Sequence, residues 1–352
     1  MNKLVTINPQ KATTMGGVET LIRHIQELST DKDIYEFFEF VPKDEHFSES
    51  TNVIYNCFGS KKSAGLLRKL LTKKNQWRSI AKLELSNVDT IILFHPNDLL
   101  YIPFSTLRKS KIILVQTNKF DMFFEPFSKL VMFFYAKYIH FFTVYTDKDS
   151  EALLKIYPKL EGRIRVIPRG CKLETSNQIA TFSKKLVTIA RIDEQQKNFT
   201  EMIKLIDSLP DTFCLDIYGD GSLDEVSALK NKLKDNKRAF YKGPTSDVAK
   251  TLKEYAVFIM TSRYEGFGQT LIEARSQGLP IVAYNNFDAL TWIIDDGVNG
   301  YAVDNKNLMQ FSQKIQKICA DKQQYETMST NALNKSVETE KHQVDLLWRA
   351  IL

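Results

Sequence analysis

The chain has 352 residues, 43% of them apolar and 26% charged, with no low-complexity tract. That composition excludes a disordered polymer, and the length exceeds what one hydrophobic core serves, so two domains are expected. Lys and Arg outnumber Asp and Glu 26 to 18 over residues 1–172 and stand 22 to 24 over 173–352, so the net charge of +6 comes from the first half.

The opening MNKLVTINP turns polar again within nine residues. It is too short for the apolar core of a signal peptide and reads as a first strand, with a cytoplasmic location expected. Gly16 and Gly17 follow as a strand-to-helix turn, and FFEFVP and NVIYNC read as the next strands. Residues 59–83 then carry eight Lys and Arg and no acid, with Leu66, Leu67, Leu70, Leu71, Trp77 and Ile80 near helical spacing. This pattern predicts a basic amphipathic helix able to lie on the anionic inner face of a membrane; a solvated helix covering a sheet is the plainer reading. No zinc finger, RNP-type or helix-turn-helix signal accompanies the charge, so a nucleic-acid partner is not expected.

The strand TIILFH ends in His95, and KIILVQT ends in Gln116–Thr117. Phe120 to Tyr145 is dense in aromatics, but Glu125, Pro126, Lys129, Lys137 and His140 interrupt it too often for a spanning helix of roughly 20 apolar residues. It reads as a helix followed by a buried strand, with plain core packing as the favoured role. FFTVYT and RIRVIP complete the first half. After the polar join at 169–185 come KLVTIAR, FCLDIYG, AFYKG, VFIMTS, PIVAY and GYAVD. Near-continuous apolar strands alternating with helices signify parallel sheets covered on both faces, so both halves are expected to be doubly wound. The expected domains are 1–172 and 173–338, with a closing helix over 339–352 too short to stand alone. The separated Cys57, Cys171, Cys214 and Cys319, with no CxxC pair, are expected to be reduced and mostly buried, and to hold no metal.

The densest chemistry lies in SRYEGFGQTLIEARSQGLP, Ser262 to Pro280. It follows the strand VFIMTS, which makes 262–268 a strand-to-helix loop and Gln269 the start of a helix closed by Gly278 and Pro280. Glu265 is then on the loop and Glu273 in the helix, two carboxylates able to accept hydrogen bonds from vicinal hydroxyls. Gly266 and Gly268 permit close backbone approach, and the amides near Gln269 and Thr270, at the positive helix end, suit a phosphate. Carboxylates for sugars beside amides for phosphate describe one nucleotide-sugar site.

Glu265-x7-Glu273 within EGFGQTLIEARSQGLPIVA closely resembles the signature of retaining glycosyltransferase family 4, of the glycosyl transferases group 1 with the GT-B fold. MGGVE, VIPRG, IARIDEQQKN, IYGDGS and DDGVNGYAV extend the resemblance, in order, over nearly the whole chain. It implies two Rossmann-like domains facing across a cleft. It implies that Gly16 and Gly17 approach the donor phosphate, that Arg191 and Lys197 neutralise the diphosphate, that Glu265 holds the donor sugar and Glu273 the ribose, and that Gly268, Gln269 and Thr270 complete the donor site. His95 is a candidate acceptor-side group, with the Gln116 region as the alternative. Retention of anomeric configuration, no metal and no cofactor are implied as well. The implied activity is transfer of a hexose or N-acetylhexosamine from a nucleotide diphosphate sugar, with a UDP-sugar as the base expectation, to a glycan, lipid-linked glycan or envelope polymer.

Two departures from the pattern stand at Arg169, usually Asn, and Gln269, usually hydrophobic, so donor identity does not carry over. No GxGxxG opens a strand-to-helix turn, which excludes a nicotinamide-linked dehydrogenase. A GT-B epimerase of UDP-sugars and a catalytically silent partner subunit are the alternatives.

Overall fold

The computed structural model describes residues 2–14, 16–42, 45–59 and 65–352, with the side chains of Leu66, Lys69 and Asp121 outside the description. The chain forms two units, Met1–Pro168 with Val344–Leu352, and Arg169–Gln343. The sequence reading sets these joins at 172 and 338.

In the first unit seven strands among the described residues form one all-parallel sheet: β1 (Lys3–Gln10), β2 (Asp33–Phe40), β3 (Val53–Cys57), β4 (Thr90–Leu93), β5 (Lys111–Val115), β6 (Phe141–Val144) and β7 (Ile164–Val166). Their spatial order is β3-β2-β1-β4-β5-β6-β7. In the second unit β8 (Lys185–Ile189), β9 (Cys214–Tyr218), β10 (Ala239–Gly243), β11 (Val257–Met260), β12 (Ile281–Tyr284) and β13 (Gly300–Val303) form a parallel sheet ordered β10-β9-β8-β11-β12-β13. Every strand read from the sequence is present, and both units are doubly wound as expected.

The apolar runs lack an in-out alternation because both faces of each sheet are covered. In the first unit, Val5, Ile7, Ile91, Leu93, Ile112 and Leu114 enter one buried cluster, while Leu4, Ile92, Ile113 and Val115 enter another on the opposite face. The closing helix Lys341–Arg349 covers that second face with Val344 and the fully buried Trp348. Asp345 lies 2.5 Å from His24, and Lys111 Nζ donates to the Ile351 carbonyl at 3.2 Å.

Two segments of the first unit turn apolar side chains outward, and for 120–145 this corrects the expectation of plain core packing. Among the described side chains of the helix Gly65–Ala81, Thr72, Gln76 and Ile80 are buried, whereas Leu67, Leu70 and Trp77 are exposed. The inward stripe Thr72–Gln76–Ile80 repeats every four residues, and Leu70, two positions before it, falls on the opposite face. Lys61 and Lys62 of the basic segment lie outside the described residues. Residues 120–145 form a short helix Phe120–Phe123, a helix Pro126–Tyr135, a 3-10 turn Ala136–Tyr138 and β6. Phe123, Phe124, Val131, Met132 and Phe142 pack in the core as expected, but Phe127, Leu130, Phe133 and Phe134 point outward. One stripe of the helix is used by the core, and the other stripe is equally apolar.

Candidate active site

In a sheet ordered this way, the crossover connections leave in opposite directions from two adjacent central strands, and the crevice beyond their carboxyl ends is the place for a ligand. In the second unit those strands are β8 and β11. The segment after β8 carries Arg191 and Lys197, and the one after β11 carries 262–268, so topology alone brings together residues about seventy positions apart.

Lys197 Nζ stands 2.6 Å from Glu265 Oε1, both side chains being at most 14% exposed. The backbone around them is tied across the crossover. Arg263 N donates to the Gln196 carbonyl at 2.8 Å, Gln196 Nε2 donates to the Tyr264 carbonyl at 3.2 Å, and Thr261 Oγ1 donates to the Lys197 carbonyl at 3.2 Å. Arg263 adds bonds to the Gln195 carbonyl at 2.9 Å and to Asn198 Oδ1 at 2.6 Å. Asn198 adopts the left-handed conformation, φ 57°, and so ends the short helix Glu194–Lys197 and begins Phe199–Ser208. Arg263 is a fastener that the sequence reading misses, since its partners are distant in the chain. Arg191 is more exposed, 60%, and its guanidinium reaches Gln196 Oε1 at 2.9 Å and Asp193 at 3.2 Å. The IYGDGS loop is held close: a side chain on Gly219 would collide with the Ala190 carbonyl.

Gly268 has φ 92° and caps the helix Gln269–Ser276, with no side chain bonding the helix start. Backbone amides at a helix start without a side-chain cap, next to the positive end of the helix dipole, make an anion site. Gly278, φ 78°, follows the helix as its left-handed terminator, as the sequence reading has it. Glu265 and Glu273 are both buried. Burial pushes the Glu273 carboxyl above the usual carboxylate range, against the opposing pull of Lys172 and of a hydrogen bond from Gln269. Gln269 Nε2 also donates to the Gly170 carbonyl at 3.0 Å. Gln269, one of the two departures from the family pattern, is thereby tied to the residue that follows the other, Arg169, in the chain.

In the first unit the corresponding strands are β1 and β4. After β1, Gly16 precedes the helix Gly17–Glu27, and Glu19 folds back so that a side chain on Gly16 would collide with its carboxylate. Glu19 is buried and accepts from Asn8 Nδ2 at 3.0 Å. Glu19 stands in MGGVE, and its proximity to the glycines is the signal by which the sequence could have marked it. Gly16→Ala is expected to displace Glu19 and reshape this loop, lowering kcat/KM about tenfold or more with little change in melting temperature; a fully active variant would remove the loop from the site.

After β4, His95 caps the 3-10 turn Pro96–Tyr101, its Nδ1 accepting from Asn97 N at 3.2 Å, and its ring lies 6.0 Å from that of Phe123. Burial holds its pKa below 6.5, with Lys73 acting in the same direction and Glu125 against, so the ring is neutral at neutral pH. Gln116 is buried, and its Nε2 donates to Asp149 Oδ1 and the Asn118 carbonyl, both at 3.2 Å. His95 remains partly accessible and Gln116 does not. No group of three or more His, Cys, Asp or Glu placed to hold a metal ion occurs among the described residues.

Residues 172–335 match the family described as "Glycosyl transferases group 1". Among curated proteins, the chain is 29% identical over 155 residues to the poly(glycerol-phosphate) alpha-glucosyltransferase of Bacillus subtilis, covering 42% of this chain and 22% of that protein. It is 28% identical over 141 residues to the poly(ribitol-phosphate) alpha-N-acetylglucosaminyltransferase of Staphylococcus aureus, covering 40% and 28%. The chain thus matches less than a third of the length of either relative. Among solved structures, TarM of S. aureus, a point mutant in complex with fondaparinux, alpha-GlcNAc-glycerol and UDP, superposes with a TM-score of 0.78 at 14% identity, covering 100% of this chain and 99% of that one. This likeness is one of fold: both parallel-sheet units of the chain follow the GT-B architecture. The match to the glycosyl transferases group 1 family thus lies in the second unit, which carries the glutamate signature and the Arg191–Lys197 segment.

Proposed function

We propose that the chain is a retaining, metal-independent glycosyltransferase that moves a hexose or N-acetylhexosamine from a UDP-sugar to an envelope polymer or lipid-linked glycan. The observation that carries this reading is the Lys197–Glu265 pair, held beside the uncapped start of the helix Gln269–Ser276. A cation, a sugar-binding carboxylate and an amide anion site together match one ligand with sugar, phosphates and ribose. Glu265 takes the sugar hydroxyls, Lys197 and Arg191 the diphosphate, the amides at Gln269 and Thr270 a phosphate oxygen, and Glu273 the ribose.

In the reaction the acceptor hydroxyl oxygen bonds to the anomeric carbon while that carbon's bond to the β-phosphate oxygen breaks. The departing phosphate oxygen receives the hydroxyl proton. Negative charge grows on the diphosphate in the transition state, so fixed cations stabilise that state more than the bound donor. His95, neutral, is the acceptor-side hydrogen-bonding group on this reading. Its replacement by Asn is expected to remove an acidic limb of kcat/KM lying below pH 6.5, where the native imidazole gains its proton; an unchanged pH profile would count against the role.

The acceptor class rests on the names of the relatives, which act on polyol-phosphate polymers, and on the basic first half. A peripheral place on the inner face of the cell membrane belongs to the same proposal, supported by the basic segment 59–83. No described helix is long and apolar enough to cross a membrane. The test is a screen of UDP-, GDP- and ADP-sugars by thermal shift and by acceptor-dependent product formation. Stabilisation by UDP and a UDP-sugar, with transfer to a polyol-phosphate or lipid-linked acceptor, is the expected result. Isomerised donor without an acceptor would point to an epimerase, and absence of any donor binding to a silent subunit.

A further inference from the structure

The helix Pro126–Tyr135 shows the bulk of four apolar side chains on one face: Phe127 is 53% exposed, Leu130 55%, Phe133 75% and Phe134 57%. The opposite face, with Ser128, Val131 and Met132, is already buried in the core. Nearby Phe104 is also exposed, and packs edge-to-face on Tyr138 at 5.5 Å. The helix Gly65–Ala81 repeats the arrangement, burying Thr72, Gln76 and Ile80 while Leu67, Leu70 and Trp77 face outward. Gln76 Nε2 has no hydrogen-bond partner among the described residues. Both helices pack on the same 3-10 turn, Pro96–Tyr101. Lys73 fastens the second of them there, 3.7 Å from Asp98 and 4.3 Å from the Tyr101 ring.

We infer that the outward faces of the helices Pro126–Tyr135 and Gly65–Ala81 form one membrane-inserting surface, with Phe127, Leu130, Phe133 and Phe134 entering the acyl boundary of an anionic bilayer. Helices that keep a second, outward face of large apolar side chains have the pattern suited to an apolar surrounding rather than to water. The charge at the margins selects the surrounding. Exposed Lys129, Lys137 and Arg108 flank the first helix, and Arg68, Lys74 and Arg78 lie along the second. Across 103–138 the carboxylates are Asp121 and Glu125 alone. Long cationic side chains around an apolar face fit anionic headgroups around acyl chains. A second copy of the chain fits poorly, since a two-fold contact would set these cations against themselves.

The inference deepens the membrane part of the proposed function and places lipid beside the candidate acceptor group. The Pro126–Tyr135 helix closely follows the short helix Phe120–Phe123, whose Phe123 ring lies 6.0 Å from that of His95. An acceptor carried on a lipid would thus reach His95 from this surface.

The experiment uses the full chain with vesicles of phosphatidylglycerol and phosphatidylcholine. Trp77→Phe combined with Phe133→Trp puts a reporter on the outer face of the Pro126–Tyr135 helix, and its fluorescence is read against lipids brominated along the acyl chain. Quenching of that reporter by about twofold, persisting in part at about 0.5 M salt, is expected, because ionic contacts are screened within about 3 to 10 Å under such conditions and apolar insertion is not. Leu130→Ser with Phe133→Ser is expected to reduce vesicle binding at least tenfold without loss of UDP-induced thermal stabilisation. Native Trp77 quenched but the reporter at 133 unquenched would overturn the inference while leaving the basic-segment reading intact. No vesicle binding, or self-association abolished by the serine pair, would overturn both membrane readings. Neither outcome bears on sugar transfer to a soluble acceptor, which is assayed separately.

Discussion

Lys197→Ala is expected to lower kcat about 10²- to 10³-fold, the loss that removing one well-placed charge-stabilising group produces. Glu265→Ala should match it within about tenfold, because the two side chains form one unit at 2.6 Å. Each single variant also leaves a nearly buried partner without its counter-charge, and breaking a buried pair costs about 3–5 kcal/mol of stability, less whatever solvent reaches the remaining group. Stability and catalysis must therefore be measured together. Lys197→Met with Glu265→Gln removes both charges and is expected to recover most of the melting temperature of the single variants while recovering none of the activity. That divergence separates a site from a structural ion pair. A single variant that keeps full transfer activity would remove Lys197 and Glu265 from the donor site.

Trp348→Ala is the second large effect. This side chain is 2% exposed, and its helix covers Leu4, Ile22, Ile25, Ile92 and Ile113 from the far end of the chain. Truncating a buried tryptophan costs about 3–5 kcal/mol, a large part of the stability of a domain of this size. The damage should fall on the first unit. Calorimetry is expected to show one transition lowered by several degrees, while UDP still stabilises the second. Two transitions lowered equally would show that the units unfold as one.

Several features of the site were legible in the residues themselves. The loop and helix of SRYEGFGQTLIEARSQGLP follow from an apolar strand, positive-φ glycines and a helix stop, all local in the chain. So are the strands of both sheets, whose apolar runs need only a cover on both faces. The ties that hold the site were not legible. Arg263 reaches Gln195, Gln196 and Asn198 across the crossover, and Gln269 reaches Gly170, ninety-nine positions back. Such partners are set by strand order, which no local pattern encodes. The orientation of the Pro126–Tyr135 helix was equally hidden, because large apolar side chains stand on both of its faces and either is competent to meet the core.

By itself the amino-acid sequence determined that this protein has two doubly wound halves, a glutamate-bearing strand-to-helix loop and a basic first half. Period, glycine placement and charge are properties of short stretches and survive without tertiary context. Only the folded chain decided that Lys197 meets Glu265, that His95 stays accessible while Gln116 is buried, and that two helices turn apolar faces outward. These depend on which strands become neighbours and on which of two competent faces reaches the core first, and packing of the whole unit resolves both.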